Sequence, residues 1–273
     1  MSVKRVEVIS PHPAARYRET FAPGSTELRA GQVLPEGWEG VYFPFTARFD
    51  GLRPDGSPAD DGVLPDFDLP RRMYAGEDTR FLQPLRIGDV VEQTTRLGTV
   101  VEKQGRSGRL VFADLVREYR AGGTLAIVST WHDVFLRATT DAAPAAARPE
   151  PFDLADGWWR ESLTLDTRHL FRFSALTFNT HRVHYDRSWA RRTEGLEDLL
   201  VHGPLTRLLA LDSALRRVQR PTGGRASSFT FRSQAPLFVD QPFTIAGRDC
   251  DGTTEVVVLG PEGSLAARGI VTW

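Results

Sequence analysis

Two stretches of this chain read as the same antiparallel meander, and that repetition restricts its possible folds more than any other feature. In the first half, Phe81 to Leu97 (FLQPLRIGDVVEQTTRL) is followed by GRLVFADLVREYRA and GTLAIVSTWHDVFLR. In the second half, Arg232 to Arg248 (RSQAPLFVDQPFTIAGR) is followed by TTEVVVLG and GSLAARGIVTW. Pro84-Leu85 aligns with Pro236-Leu237, and Leu125-Ala126 with Leu265-Ala266, with a shorter hairpin arm in the second half. Turn residues at Gly105 to Gly108, Ala121 to Gly123, Cys250 to Gly252 and Pro261 to Gly263 separate the β-rich runs, and connections this short join antiparallel neighbours. Such self-similarity implies a duplicated unit. Coincidence between two meanders is the competing reading.

One strong helix precedes the second meander. Pro204 to Arg217 (PLTRLLALDSALRR) sets Leu205, Leu208, Leu209, Leu211, Ala214 and Leu215 mostly on one face. Pro204 suits a first helical position, where no N–H is needed, and Arg216 and Arg217 suit the negative end of the dipole. A single apolar helix ahead of three strands predicts a sheet wrapped around one central helix, an α+β unit. The first half shows no equally clear helix. Its 41–69 region, rich in Gly, Pro and Asp, reads as a long irregular excursion. The first unit is therefore expected to keep the sheet and to have lost or altered any site. The Ala- and Pro-rich segment DAAPAAARPEPFD has no periodicity and reads as a linker. The expected organisation is a noncatalytic N-terminal unit over 1–140, a linker over 141–153 and a catalytic unit over 154–273.

Charge and cysteine content narrow the function. Lys and Arg total 34 against 35 Asp and Glu, so there is no basic excess to attract nucleic acid. One cysteine, Cys250, leaves no disulfide framework and fits a reducing compartment. No apolar run approaches the roughly 20 residues of a membrane span, and MSVKRVEVISPHP lacks a signal-peptide core. The expectation is a cytoplasmic protein without membrane attachment. A residual sheet edge would also permit a homodimer.

The chemistry concentrates in Phe173 to Asp186 (FSALTFNTHRVHYD) and in HGPL at His202 to Leu205. On a strand, Asn179 would share a face with His181, and His184 with Asp186; on an irregular loop all four can converge. Imidazole is the natural base for proton transfer beside a thioester carbonyl. The enolate that forms needs a donor aimed at its oxygen, and the Gly203 N–H at a helix N-terminus is placed to supply one. A metal reading of His181, His184, Asp186 and His202 is weaker. The spacing lacks the helical i, i+4 histidine pair, and there is no cysteine cluster.

These residues carry a resemblance. NTHRVH has the spacing of the D-x-N-P-[LIV]-H signature of the MaoC-like, (R)-specific enoyl-thioester hydratases, with His184 on the catalytic histidine and Asn179 on the catalytic aspartate. His181 and Arg182 fall on the Asn and Pro. HGPL resembles the motif that opens the central hot-dog helix. The chain more closely resembles a double hot-dog branch with F-N-x-H-R-I-H-Y-D. That branch includes itaconyl-CoA and mesaconyl-C4-CoA hydratases and fungal mitochondrial 3-hydroxyacyl-thioester dehydratases. PRRMYAG (Pro70 to Gly76) and PLRIGD (Pro84 to Asp89) resemble its N-terminal half.

The resemblance implies a double hot-dog hydro-lyase that adds or removes water across an acyl thioester, with no cofactor beyond the CoA of the substrate. It implies His184 as acid/base, Gly203 as oxyanion donor and Asn179, which cannot ionise, as the residue orienting water. His181, Arg182, Arg187, Arg191 and His202 are candidate substrate contacts. For His181 and His202 a structural role competes; for the arginines, a solvated surface balanced by Glu194, Glu197 and Asp198. A short dicarboxylic acyl group would need a further cation, with Arg71, Arg72 and Arg182 as candidates. Two other functions stay open: a hot-dog thioesterase, and a noncatalytic module binding acyl-CoA or acyl-carrier protein.

Overall fold

The computed structural model describes residues 1–59, 62–105, 108–137, 151–217 and 224–273. The first unit holds β1 (Ser2–Val8), α1 (Pro11–Phe21), β2 (Arg71–Phe81), β3 (Val90–Gly105), β4 (Gly108–Ala121) and β5 (Thr124–Leu136). The second holds β6 (Trp159–Thr164), α2 (Thr167–Thr177), α3 (Arg187–Arg192), α4 (Gly203–Arg217), β7 (Ser228–Ser233), β8 (Pro242–Cys250), β9 (Thr253–Leu259) and β10 (Leu265–Thr272). All ten strands form one sheet in the order β1-β3-β4-β5-β2-β7-β10-β9-β8-β6. The order on one side of the β2–β7 seam is the mirror of the order on the other. The seam is antiparallel, from Gly76 opposite Arg232 to Arg80 opposite Ser228.

The repeat extends to single hydrogen bonds. The N–H groups of Leu82 and Gln83 both donate to Ala126 O; those of Gln234 and Ala235 both donate to Ala266 O. Leu34 N–H donates to Leu85 O, and Val201 N–H to Leu237 O, each at 2.8 Å. Val33 bridges Arg86 as Leu200 bridges Phe238. The sequence alignment of the two Pro-Leu pairs and of the two Leu-Ala pairs is thus the alignment of the two sheets.

This correspondence shows what differs. Matching Leu34 to Val201 places the counterpart of α4 in a single 3-10 turn, Trp38–Val41. In the second unit α4 is buried along its length, with Leu205, Leu208, Leu211 and Ala214 in the same core as Phe243, Ile245, Val256 and Val258. The inner face of the first sheet has one turn where the second has a whole helix. The fold is the α+β double hot dog, with the first unit reduced in this respect.

The first half does contain a helix, α1, which buries only Ala14 and Tyr17 and begins Pro-His-Pro. A stripe that narrow gives little periodic signal. Its counterpart α2 starts the same distance after its strand and carries an Asp166–His169 capping box. Phe21 of α1 meets Phe173 of α2 edge-on at 6.0 Å. Most of the 141–153 segment lies outside the described residues; Pro151 bridges Ser264 and Phe152 packs on Trp158.

Candidate active site

The Phe173–Asp186 segment is neither a strand nor a plain loop. α2 ends when Phe178 turns left-handed (φ 51°), and Asn179 N–H closes back on Ser174 O at 2.8 Å. Asn179 Oδ1 accepts from His181 N–H at 3.0 Å. A 3-10 turn over Arg182–His184 follows, and Asp186 caps α3 through Trp189 N–H at 2.9 Å. The resulting loop aims Asn179, His181 and His184 at one cavity of about 680 Å³, which Gly203 also lines.

His184 is almost wholly buried. Its Nδ1 lies 2.8 Å from Leu200 O, and a carbonyl only accepts, so Nδ1 carries the proton and Nε2 keeps a bare lone pair. Burial, reinforced by the neighbouring His181, pushes His184 down to about 3. It is neutral at any working pH. His202 stacks flat on it, centroids 3.6 Å apart and planes 18° off parallel. Burial also holds His202 far below the usual range, and its Nε2 meets Ser174 Oγ at 2.9 Å. His202 is fully enclosed and supports His184 from behind; it does not line the cavity.

His181 stands perpendicular to His184 at 5.6 Å. Burial lowers its pKa, while Asp55, with Oδ2 3.7 Å from Nε2, acts in the opposite direction. Asp55 comes from the first unit. Its Oδ1 accepts from Ser57 N–H at 2.8 Å and Ser57 Oγ at 2.7 Å, an Asx turn. Arg182 N–H donates to Asp55 O and Thr180 Oγ1 to Gly56 O, both at 2.7 Å. Gly56 has φ +83°, and a Cβ there would lie 2.0 Å from Thr180 O. The loop is locked onto the motif. Within the irregular 41–69 excursion, the Asp-Gly-Ser turn is the local signal of this ordered segment.

Gly203 opens α4, so its N–H has no acceptor within the helix. Tyr74, from β2, lies against it: a Cβ on Gly203 would fall 2.4 Å from Tyr74 Cδ1. Tyr74 of the other unit thus fills the space where a side chain at this position would go, while Gly203 itself lines the cavity. The arginines of the motif are engaged elsewhere. Arg182 pairs with Asp186 at 2.6 Å and lies 3.9 Å over the Trp189 ring. Arg187 and Arg191 share Asp198, at 2.5 and 2.8 Å. None of the three borders the cavity. Among the described residues, no three His, Cys, Asp or Glu side chains are grouped to hold a metal. No described helix is long and apolar enough to cross a membrane.

A duplicated hot-dog chain with a neutral, inward-facing imidazole beside a glycine-opened helix is built for proton transfer on an acyl thioester. The family model for hydroxyacyl-thioester dehydratase type 2 matches residues 37–239, and the chain belongs to that family. It is 37% identical over 252 residues to the mesaconyl-C(4)-CoA hydratase of Chloroflexus aurantiacus, covering 92% of this chain and 88% of that protein. The fold is similar to HtdX of Mycobacterium tuberculosis, with TM-score 0.70, 17% identity and 99% of each chain covered. It is also similar to a second Mycobacterium tuberculosis protein with a double hotdog fold. There the TM-score is 0.65 at 15% identity, covering 100% of this chain and 95% of that one.

Proposed function

We propose that the chain catalyses reversible hydration and dehydration of an acyl-CoA thioester at the His184–Gly203 site. The observation that carries this is the fixed tautomer of His184, a bare Nε2 facing a cavity that also receives the free N–H end of α4. In the hydration direction, Nε2 takes a proton from water as the water oxygen bonds to Cβ. Charge moves through Cα onto the thioester oxygen, where the Gly203 N–H holds it. The imidazolium then returns the proton to Cα, so the elements of one water have been added. An imidazole held near pH 3 is a weak base, but its conjugate acid is a strong donor. The negative enolate oxygen beside it makes the transient cation accessible.

Asn179 orients the water through its amide. His181, facing Asp55, occupies the place where a second ionisable group can assist the departing β-hydroxyl. Among the described residues, the N-terminal unit brings Asp55 and Tyr74 to the site but no imidazole, which supports reading 1–140 as noncatalytic by itself. Residues from 154 onward carry the acid/base chemistry. A cytoplasmic location and a homodimer belong to the same reading.

The test is loss of the enoyl-thioester absorbance with crotonyl-, itaconyl- and mesaconyl-CoA. The name of the Chloroflexus relative puts mesaconyl first. Hydration without thiol release is expected. His184→Ala should lower kcat/KM about 10³-fold, and Asn179→Ala distinctly less. Release of free CoA would make the chain a thioesterase, and binding without turnover a binding module. Equal losses in the two variants would remove the division of roles.

A further inference from the structure

A water attacking Cβ has two hydrogens to place, and the contiguous motif accepts only one of them. His184 Nε2 takes the first. Asn179 is the nearest candidate for the second, but its Oδ1 is turned back onto His181 N–H at 3.0 Å. What the carboxamide has left to offer the cavity is its NH2 group, which only donates. Asn179 can hold the water oxygen, and the second hydrogen needs another acceptor. His181 lines the same cavity two residues further along.

The His181 ring stands between the cavity and Asp55: the imidazole borders the cavity and the carboxylate does not. Asp55 Oδ2 lies 3.7 Å from His181 Nε2. A carboxylate only accepts, so it favours the tautomer with the proton on Nε2. Nδ1 is then bare, and it makes no hydrogen bond among the described residues. Closing the gap by about 1 Å would complete the Nε2 hydrogen bond, the tightening expected when a ligand fills a site. Asp55 is held in place for this. Its Oδ1 accepts from Ser57 N–H and Ser57 Oγ, which leaves Oδ2 to His181. Its backbone carbonyl accepts from Arg182 N–H, one residue past His181.

The surrounding charges leave this contact to Asp55. Burial is the largest influence on His181 and lowers its pKa; Asp55 and Glu194 act upward, and Arg72 and Arg71 downward. The neighbouring His184 is neutral. Arg71 is bound to Glu194 and Arg72 to Asp133, each at 2.6 Å, whereas Asp55 pairs with no arginine or lysine among the described residues.

We infer that Asp55, from the first unit, is a positioning residue for the reaction: it orients His181 so that the bare Nδ1 holds the second hydrogen of the water. This rests on the hydration reading above. As the water oxygen bonds to Cβ, its first proton passes to His184 Nε2 and on to Cα. The second stays on oxygen, as the hydrogen of the new β-hydroxyl, and points at His181 Nδ1. No proton is lost to Asp55. The first unit, without a base of its own, sets the tautomer of one in the second.

Asp55→Asn tests this, because it is nearly isosteric and keeps Oδ1 as the acceptor for Ser57. Its amide donates toward Nε2, which moves the ring proton to Nδ1 and removes the acceptor. With the enoyl-CoA that the wild type hydrates fastest, kcat should fall about 10- to 100-fold, with KM within about twofold. The acidic limb of the kcat profile should move to lower pH, since an imidazolium without its carboxylate is harder to form. In a His181→Ala background, Asp55→Asn should have no further effect. Nitrogen-15 NMR of the six histidines reads the tautomer without turnover: wild-type His181 should carry its proton on Nε2. A proton on Nδ1 in the wild type overturns the inference even if a variant fails to fold. So does an unmoved acidic limb, or losses that add in the double variant, because Asp55 would then serve only to hold the loop. If His181 shows the expected tautomer but no enoyl-CoA is hydrated, it is the hydratase reading that fails.

Discussion

Gly203 is constrained by Tyr74 more than by its own backbone. A methyl group there collides with the aromatic ring, so Tyr74 or the start of α4 must shift. Gly203→Ala should lower kcat/KM by about 10²- to 10³-fold with the far-UV circular dichroism unchanged. Glu39 makes a second prediction at this scale. Burial raises its pKa from 4.5 to about 7, and Oε2 has no hydrogen-bond partner among the described residues. A group whose folded pKa is raised contributes stability that is full below its unfolded pKa and is lost as pH rises through the folded one. Between pH 5 and 8, Glu39→Gln should therefore gain about 3 kcal/mol on the wild type in urea unfolding. A gap that stays constant with pH would show that Glu39 is ionised throughout. At this scale the sequence was readable where the motif is contiguous: Asn179, His181, His184 and Gly203 do meet at one cavity. Tyr74 and Arg117 were hidden because they reach that cavity from another unit, and Asp55 because it reaches His181 from there, through contacts that no local spacing encodes.

The elements were legible in proportion to how wide an apolar face they bury. α4 was evident because most of its surface is core. α1 and α2 were not, since α1 buries two residues and α2 begins with an Asp–His capping box in place of the usual Glu or Gln. α1 nonetheless holds α4 in place. Tyr17 Oη and Trp38 Nε1 both donate to Asp212, each at 2.8 Å. Asp212→Ala leaves two buried donors unpaired on the first unit. It should cost about 3–5 kcal/mol in urea unfolding at pH 8, where the carboxylate, held up at about 6, is ionised. A loss below about 1 kcal/mol would mean that the α1–α4 contact is held by packing alone.

At the scale of the molecule, the β2–β7 seam makes the units interdependent. Separation exposes the backbone donors and acceptors of Gly76–Arg80 and their partners, and uncovers Gly203. Residues 1–137 and 151–273 expressed separately should aggregate, and co-expression should recover a one-to-one species by size exclusion. Soluble, folded halves would contradict this. The duplication was legible because both copies keep the same turn and Pro-Leu positions. The loss of one helix was not, because a segment that has become a single turn no longer has a period to detect.

That lost helix divides the chain's tolerance for change. The loop that carries His184 is tied to the start of α4 through the His184–His202 stack, and substitutions there endanger both. The inner face of the first sheet bears no such helix, so exchanges at Gln93 and Arg117 should alter which ligand the cavity admits before they alter the residues around His184.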